Sequence, residues 1–313
     1  MKFVAAIWLL SLSVMGCGGS TTAQTGDAST GAPIVLASAQ NQPWTIAIDD
    51  SNVYWVNAGD FGGVYSIPKV GGAVTTLTQA SASEVESIGV DATSVYLPLG
   101  GEIVAVPIAG GASSTTLAAA ATANGVAVAQ ERVYWVERNA ADASLTAKSI
   151  SVEGGTPDSI TLPDGMPLGA GASSTSASND AVYVGLEFGN QILRLPLDGS
   201  PATLIAAKSP TAMAFDDANI YFGSQGAVST VPKAGGDVVA IAPAENPTGV
   251  AVDDAFIYFA DDTSTGRIVK VAKSGGTPIV LADNQGAPHA IAVDANYVYW
   301  NCINEGTIKK IAK

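Results

Sequence analysis

The sequence predicts an all-β fold, a seven-bladed β-propeller of four-stranded antiparallel blades. Three observations predict it. A branched residue followed by Tyr recurs seven times, roughly 40 residues apart, which is the spacing of propeller blades. The pairs are Val53-Tyr54, Val95-Tyr96, Val133-Tyr134, Val182-Tyr183, Ile220-Tyr221, Ile257-Tyr258 and Val298-Tyr299. Turn residues recur at matching places between them. The first strand-like segment of the repeat region supplies what the last repeat lacks.

Each repeat runs in one order. A short apolar stretch comes first, as in Ile46-Ala47-Ile48, Ile88-Gly89-Val90, Val126-Ala127-Val128 and Ile291-Ala292-Val293. Its central residue is Ala or Gly in most copies, which suits the innermost strand, where blades crowd together. An acidic turn follows, as at Asp49-Asp50, Asp216-Asp217 and Asp253-Asp254. Asp favours such turns because its side chain bonds nearby backbone. The Val-Tyr strand comes next, often ending in Trp or Phe (Trp55, Trp135, Phe222, Phe259, Trp300). A variable loop leads to a third strand such as Ile268 to Val271. A Gly-Gly turn, as at Gly71-Gly72 or Gly275-Gly276, then leads to a fourth. Glycine tolerates the positive φ angles of tight hairpins. The strands are apolar on both faces, as sheets stacked around an axis require.

The ends predict closure. The seventh repeat stops at its third strand, Ile308 to Lys313. The segment Gly31-Ala32-Pro33-Ile34-Val35-Leu36-Ala37 matches Gly276-Thr277-Pro278-Ile279-Val280-Leu281-Ala282, a fourth strand. It is therefore expected to complete the last blade and remove an exposed edge. Repeat four is degenerate. Its inner stretch, Thr175-Ser176-Ala177-Ser178, is polar, and Gly199-Ser200 stands in for Gly-Gly. If it is not a blade, the ring has six.

Residues 1–16 read as a leader. Lys2 is a short positive region, and Phe3 to Val14 is apolar but too short to span a bilayer. The segment Val14-Met15-Gly16-Cys17 resembles the lipobox of bacterial lipoprotein signal peptides. The resemblance implies cleavage before Cys17 and lipidation of its thiol. The expected location is then the bacterial cell envelope, lipid-anchored. Gly18, rather than Asp, favours the outer membrane or the periplasmic side by analogy with lipoprotein sorting. Residues 17–31 are mostly Gly, Ser, Thr, Ala, Gln and Asp, and read as a flexible tether. The domain expected to fold is 32–313.

Composition narrows the partners. The formal net charge is −14, which repels phosphate backbones and argues against nucleic acid. The membrane is expected to be touched only through the lipid on Cys17. Cys302 is the one other cysteine and reads as a small buried apolar residue. No Ser/His/Asp set, HExxH or CxxC pair is found, and no helix follows the Gly-Gly turns to make a phosphate loop. No cofactor is expected.

The strands Asp49…Val53-Tyr54-Trp55 and Asp294…Val298-Tyr299-Trp300 resemble those of YWTD propellers, and of the related NHL and TolB-type propellers. The YWTD group has six blades, against seven repeats here. The count of seven and the phrase Pro288-His289-Ala290-Ile291-Ala292-Val293-Asp294 are similar to the virginiamycin B lyase group, which uses histidines and carboxylates around a metal. This chain has one histidine, so most of such a set is missing.

One position singles out a candidate site. Nine residues before each Val-Tyr anchor lie Trp44, Glu86, Asn124, Ser173, Thr211, Thr248 and His289. Each enters its inner strand at the channel mouth. Trp44, Glu86, Asn124 and His289 are read as lining a ligand pocket there. The plainer alternative is seven independent loop-end residues bonded to local backbone, and it is preferred, since solvation alone permits a mixed polar ring. A second set, in the variable loops, is Asn57, Asp60, Glu137, Arg138, Asp261, Asp262, Asn301, Asn304 and Glu305. Oxygen ligands of this kind suit calcium, but no calcium-loop spacing is present, and a solvated surface explains them as well.

The leading functional expectation is a non-catalytic scaffold that binds an envelope protein, peptide or glycan through the variable loops of one face. The alternative is a metal-dependent lyase or hydrolase using His289, Glu86 and Asn124 at the channel mouth. A purely structural role is a third.

Overall fold

A computed structural model of the protein describes residues 31–59, 62–80, 85–111, 113–139, 141–164, 172–186, 190–208 and 210–313. The leader, Cys17 and nearly all of the tether lie outside the described residues. The described secondary structure is entirely β, in seven separate four-stranded antiparallel sheets. Strands are lettered a to d outward from the axis, and blades numbered along the chain. The inner strands are Pro43–Ile48, Gly89–Val90, Val126–Ala129, Ala172–Ala177, Met213–Phe215, Pro247–Val252 and Pro288–Val293.

Closure is as the sequence predicts. Blade 7 consists of Pro288–Val293, Tyr297–Cys302, Thr307–Ala312 and, as its outer strand, Ile34–Ala37. Ile34 pairs with Lys310, Val35 with Lys309, and Ala37 with Ile308. Repeat four is a full blade, so the ring has seven. Its inner strand tolerates Ser and Thr because strands b and c carry the burial. Val182, Tyr183, Val184, Leu193 and Leu195 are all fully buried.

The core lies between blades rather than inside one. Seven apolar clusters each join residues of two neighbouring sheets. One of them spans the closure, packing Tyr299, Ile308 and Ala37 of blade 7 against Val53, Trp55 and Ile67 of blade 1. The b strands are the most buried, as Val53 to Val56 illustrate. Inner strands approach closely. A Cβ built on Gly249 of blade 6 would fall 2.5 Å from the carbonyl oxygen of His289 in blade 7.

The acidic turns are joints. In five blades the Asp five residues before the anchor Tyr accepts its hydroxyl. These bonds are Tyr54–Asp49 (2.6 Å), Tyr96–Asp91 (2.7 Å), Tyr221–Asp216 (2.7 Å), Tyr258–Asp253 (2.8 Å) and Tyr299–Asp294 (2.8 Å). Blade 4 draws its carboxylate from Asp180, three residues before Tyr183 (3.1 Å). In the five regular blades the other carboxylate oxygen accepts backbone N–H groups of the turn, as Asp294 does from Asn296 and Tyr297, both at 2.9 Å. Burial pushes the hydroxyls of Tyr54, Tyr96 and Tyr221 up to about 12, with the bonded carboxylate reinforcing the shift.

At four blade boundaries a lysine from the next blade completes the joint. Lys233 reaches Asp180 (2.8 Å), Lys273 reaches Asp216 (2.9 Å), Lys313 reaches Asp253 (2.8 Å), and Lys69 reaches Asp294 (3.0 Å) across the closure. Each ammonium also lies over the neighbouring Tyr ring, at 5.1 to 5.9 Å from its centroid. At the other three boundaries the same position holds Ile108, Val152 or Leu197. These pack with Tyr54, Tyr96 and Tyr134, so apolar contact replaces the ion pair.

Candidate functional site

The inner strands surround an axial cavity of about 570 Å³. Each runs from a mouth, where the variable loops enter, to the face of the acidic turns. All seven contribute to the lining. Thr45, Ser87, Ser174, Thr175, Thr211 and Thr248 supply hydroxyls among aliphatic side chains such as Val126, Met213 and Ile291.

Of the four predicted pocket residues, Glu86, Asn124 and His289 line this cavity, and Trp44 does not. Trp44 instead packs against His289, ring centroids 4.5 Å apart and tilted by 41°. Its carbonyl accepts a hydrogen bond from His289 Nδ1 at 2.7 Å. A carbonyl only accepts, so the proton sits on Nδ1 and Nε2 keeps its lone pair. Burial lowers the His289 pKa, against the opposing pull of that bond and of Asp262, so the ring is neutral at neutral pH. Burial pushes the Asp262 carboxyl up, although His289 favours its ionised form. The backbone N–H of Glu86 donates to Asn124 O at 2.6 Å. The mouth thus holds two adjacent pairs, Trp44 with His289 and Glu86 with Asn124.

Sequence reasoning missed that the mouth residues join the blades. Asn124 Nδ2 donates to Ala172 O in blade 4 (2.7 Å). Thr211 Oγ1 donates to Pro247 O in blade 6 (2.7 Å), and Thr248 Oγ1 to Pro288 O in blade 7 (2.9 Å). His289 continues the series into blade 1. These side chains do bond to backbone, but to that of the next blade rather than to the local backbone of the plainer alternative. The side chain of Ser173 lies outside the described residues. Sequence reasoning also passed over Ser174 and Thr175 as pocket residues. Both are buried in blade 4, at 9% and 3% exposure, and their hydroxyls have no partner among the described residues. The polar run in an otherwise apolar repeat position was the available signal.

The second predicted set is not brought together. Asp261 is buried and accepts from the N–H groups of Glu245 and Asn246 and from Arg267 at 2.6 Å. Glu137 accepts from Trp135 Nε1 and Lys148. Asn301 Oδ1 accepts from Ala290 N (2.8 Å), and its Nδ2 donates to Pro43 O (2.5 Å). Glu305 pairs with Lys309 and Gly286 N. Asp60 lies outside the described residues. Among those described, no three His, Cys, Asp or Glu side chains gather as a metal site would need. Cys302 is buried, and burial pushes its thiol up, as expected of an inert packing residue.

No family model matches the chain, and no curated protein matches it. Solved structures do. The chain is similar to virginiamycin B lyase from Staphylococcus aureus at 15% identity and a TM-score of 0.68, over 90% of this chain and 98% of that one. It is similar to the WD40 domain of Neurospora crassa Pan2 at 10% identity and a TM-score of 0.65, over 87% and 89%. A chain of a nidogen/laminin complex matches at 14% identity and a TM-score of 0.52, over 63% and 80%. At these identities the likeness is one of fold, and the fold serves enzymes and binding proteins alike.

Proposed function

We propose that this chain is an envelope-anchored lipoprotein and a non-catalytic recognition scaffold. It binds a protein, peptide or glycan through the loops around one mouth of the propeller channel. The observation that carries this reading is the mouth itself. Trp44–His289 and Glu86–Asn124 flank a cavity of about 570 Å³ whose walls are held in place by blade-to-blade hydrogen bonds. Aromatic and amide groups on a rigid support suit recognition. The lyase or hydrolase alternative has less support. No cluster of metal-ligating side chains accompanies His289 among the described residues. The lipid anchor rests on the order of charge, apolar run, Gly16 and Cys17 in the leader.

Screening the purified protein on glycan and peptide arrays, then repeating with Glu86→Ala and His289→Ala, tests the site. The reading expects at least a tenfold loss of binding in one variant with unchanged melting temperature. Hits that both variants bind as tightly as the parent would remove the mouth from consideration. Fractionation tests the anchor. Cys17→Ala should move the protein from membrane to soluble fractions, and retention in the membrane would contradict lipidation.

A further inference from the structure

Six of the seven anchor tyrosines give their hydroxyl to a carboxylate of their own blade. Tyr134 in blade 3 does not. The position five residues before it is Ala129. Tyr134 is 6% exposed, and its hydroxyl has no hydrogen-bond partner among the described residues. Burial raises its pKa, with Arg132 opposing, so it is a protonated donor at neutral pH.

That hydroxyl opens onto a cleft of about 350 Å³ between blades 3 and 4, on the face of the acidic turns, opposite the channel mouth. Arg132 lines the same cleft. It lies two residues before Tyr134 on one strand, hence on the same face. Ser149 is directly across from Tyr134, and Asp158 directly across from Ser149. Arg132 Nε and Nη2 donate to Ser149 Oγ at 3.2 and 2.9 Å, and Nη2 also reaches Asp158. The guanidinium therefore lies over the row that begins at Tyr134. These bonds use Nε and Nη2, and a guanidinium carries five N–H donors in all, two of them on Nη1. Leu197 stands where other boundaries have the clamp lysine, and it lines the apolar wall of the cleft.

We infer that this cleft is a second binding site, which takes a carboxylate supplied by a ligand in place of the one Ala129 cannot provide. The donors are Tyr134 Oη–H and the Nη1 edge of Arg132. Asp158 holds the Nη2 side of the guanidinium from an exposed position, its side chain 70% exposed, which leaves the Nη1 edge for the ligand carboxylate. The natural source is an acidic side chain or the C-terminal carboxylate of a peptide, and both present the same planar acceptor to a guanidinium. The site is independent of the channel mouth and of the lipid anchor.

The test titrates acetate, at constant ionic strength with chloride as the control anion, into the full protein, and follows the Arg132 Nε–H and Tyr134 backbone N–H signals by NMR. Saturable shifts at about millimolar strength are expected for so small a probe. Tyr134→Phe should weaken binding at least tenfold and leave folding intact, because no internal bond is lost. Ala129→Asp should abolish acetate binding and raise the melting temperature, by seating an internal carboxylate. N-acetyl-triglycine and N-acetyl-aspartate amide then tell which source fits, and binding of either supports the site. Shifts that fail to saturate, that chloride reproduces, or that persist unchanged in Tyr134→Phe would overturn it.

Discussion

Replacing Asp294 by Ala should weaken the ring at its closure. Asp294 Oδ1 accepts two turn N–H groups at 2.9 Å, and Oδ2 accepts Tyr299 Oη at 2.8 Å and Lys69 Nζ at 3.0 Å. Its side chain is 24% exposed. A hydrogen bond to a charged group contributes about 1.5–3 kcal/mol. The four share one carboxylate, and water can replace part of what is lost, so their sum would overshoot. A net cost of about 2–4 kcal/mol is the reasonable expectation, or roughly 5–15 °C in melting temperature. The control is Asp50→Ala, an exposed neighbour in the equivalent blade 1 turn, expected to change stability by under about 0.5 kcal/mol. The effect should depend on pH with a definite sign. Burial pushes the Asp294 carboxyl up, but the Asn296 N–H, Lys69, the Tyr297 N–H and Tyr299 together outweigh it and hold it well below the usual carboxylate range. A depressed folded-state pKa stabilises above the unfolded value of about 3.9 and loses that contribution as pH falls. Parent and variant should therefore converge in urea midpoint as pH is lowered from about 4. A gap no larger than the Asp50→Ala control at pH 7, or one that widens in acid, would refute the reasoning.

Three further substitutions follow from the same packing. Tyr299→Phe should cost about 1–2 kcal/mol in urea denaturation, since Asp294 loses one of its four hydrogen bonds while the ring beneath Lys69 remains. Tyr134→Phe should be nearly neutral, because Tyr134 makes no such bond. Gly249→Ala should destabilise by about 2 kcal/mol or more, because the added methyl meets the His289 carbonyl at 2.5 Å and both are backbone-fixed. A neutral Gly249→Ala by thermal melting would mean that blades 6 and 7 are spaced more widely at the mouth.

Much of this was legible in the chain because it is local. The Val-Tyr pairs mark buried b strands, where alternating faces both meet apolar neighbours, so the residues report their burial directly. The match between residues 31–37 and 276–282 named the closing strand because a fourth strand carries the same pattern wherever it originates. What was not legible depends on register between blades. Lys69 follows Pro68 at a hairpin, yet its partner is Asp294, far along the sequence. Thr211 and Thr248 look like ordinary loop ends until the next blade's Pro247 and Pro288 carbonyls are in place. Trp44 was read as lining a pocket, but its ring is taken by His289. Repeat four was doubted from its polar inner strand, although a strand whose neighbours bury Tyr183 and Leu193 needs little apolar surface of its own.

Backbone amide hydrogen exchange at residues 34–37 tests the closed ring most directly. If this segment is the outer strand of blade 7, its bonded amides are protected by orders of magnitude over free peptide, alongside those of residues 308–311 with which it pairs. Exchange of residues 34–37 at the free-peptide rate, with the rest of blade 7 protected, would show an open edge and contradict the account.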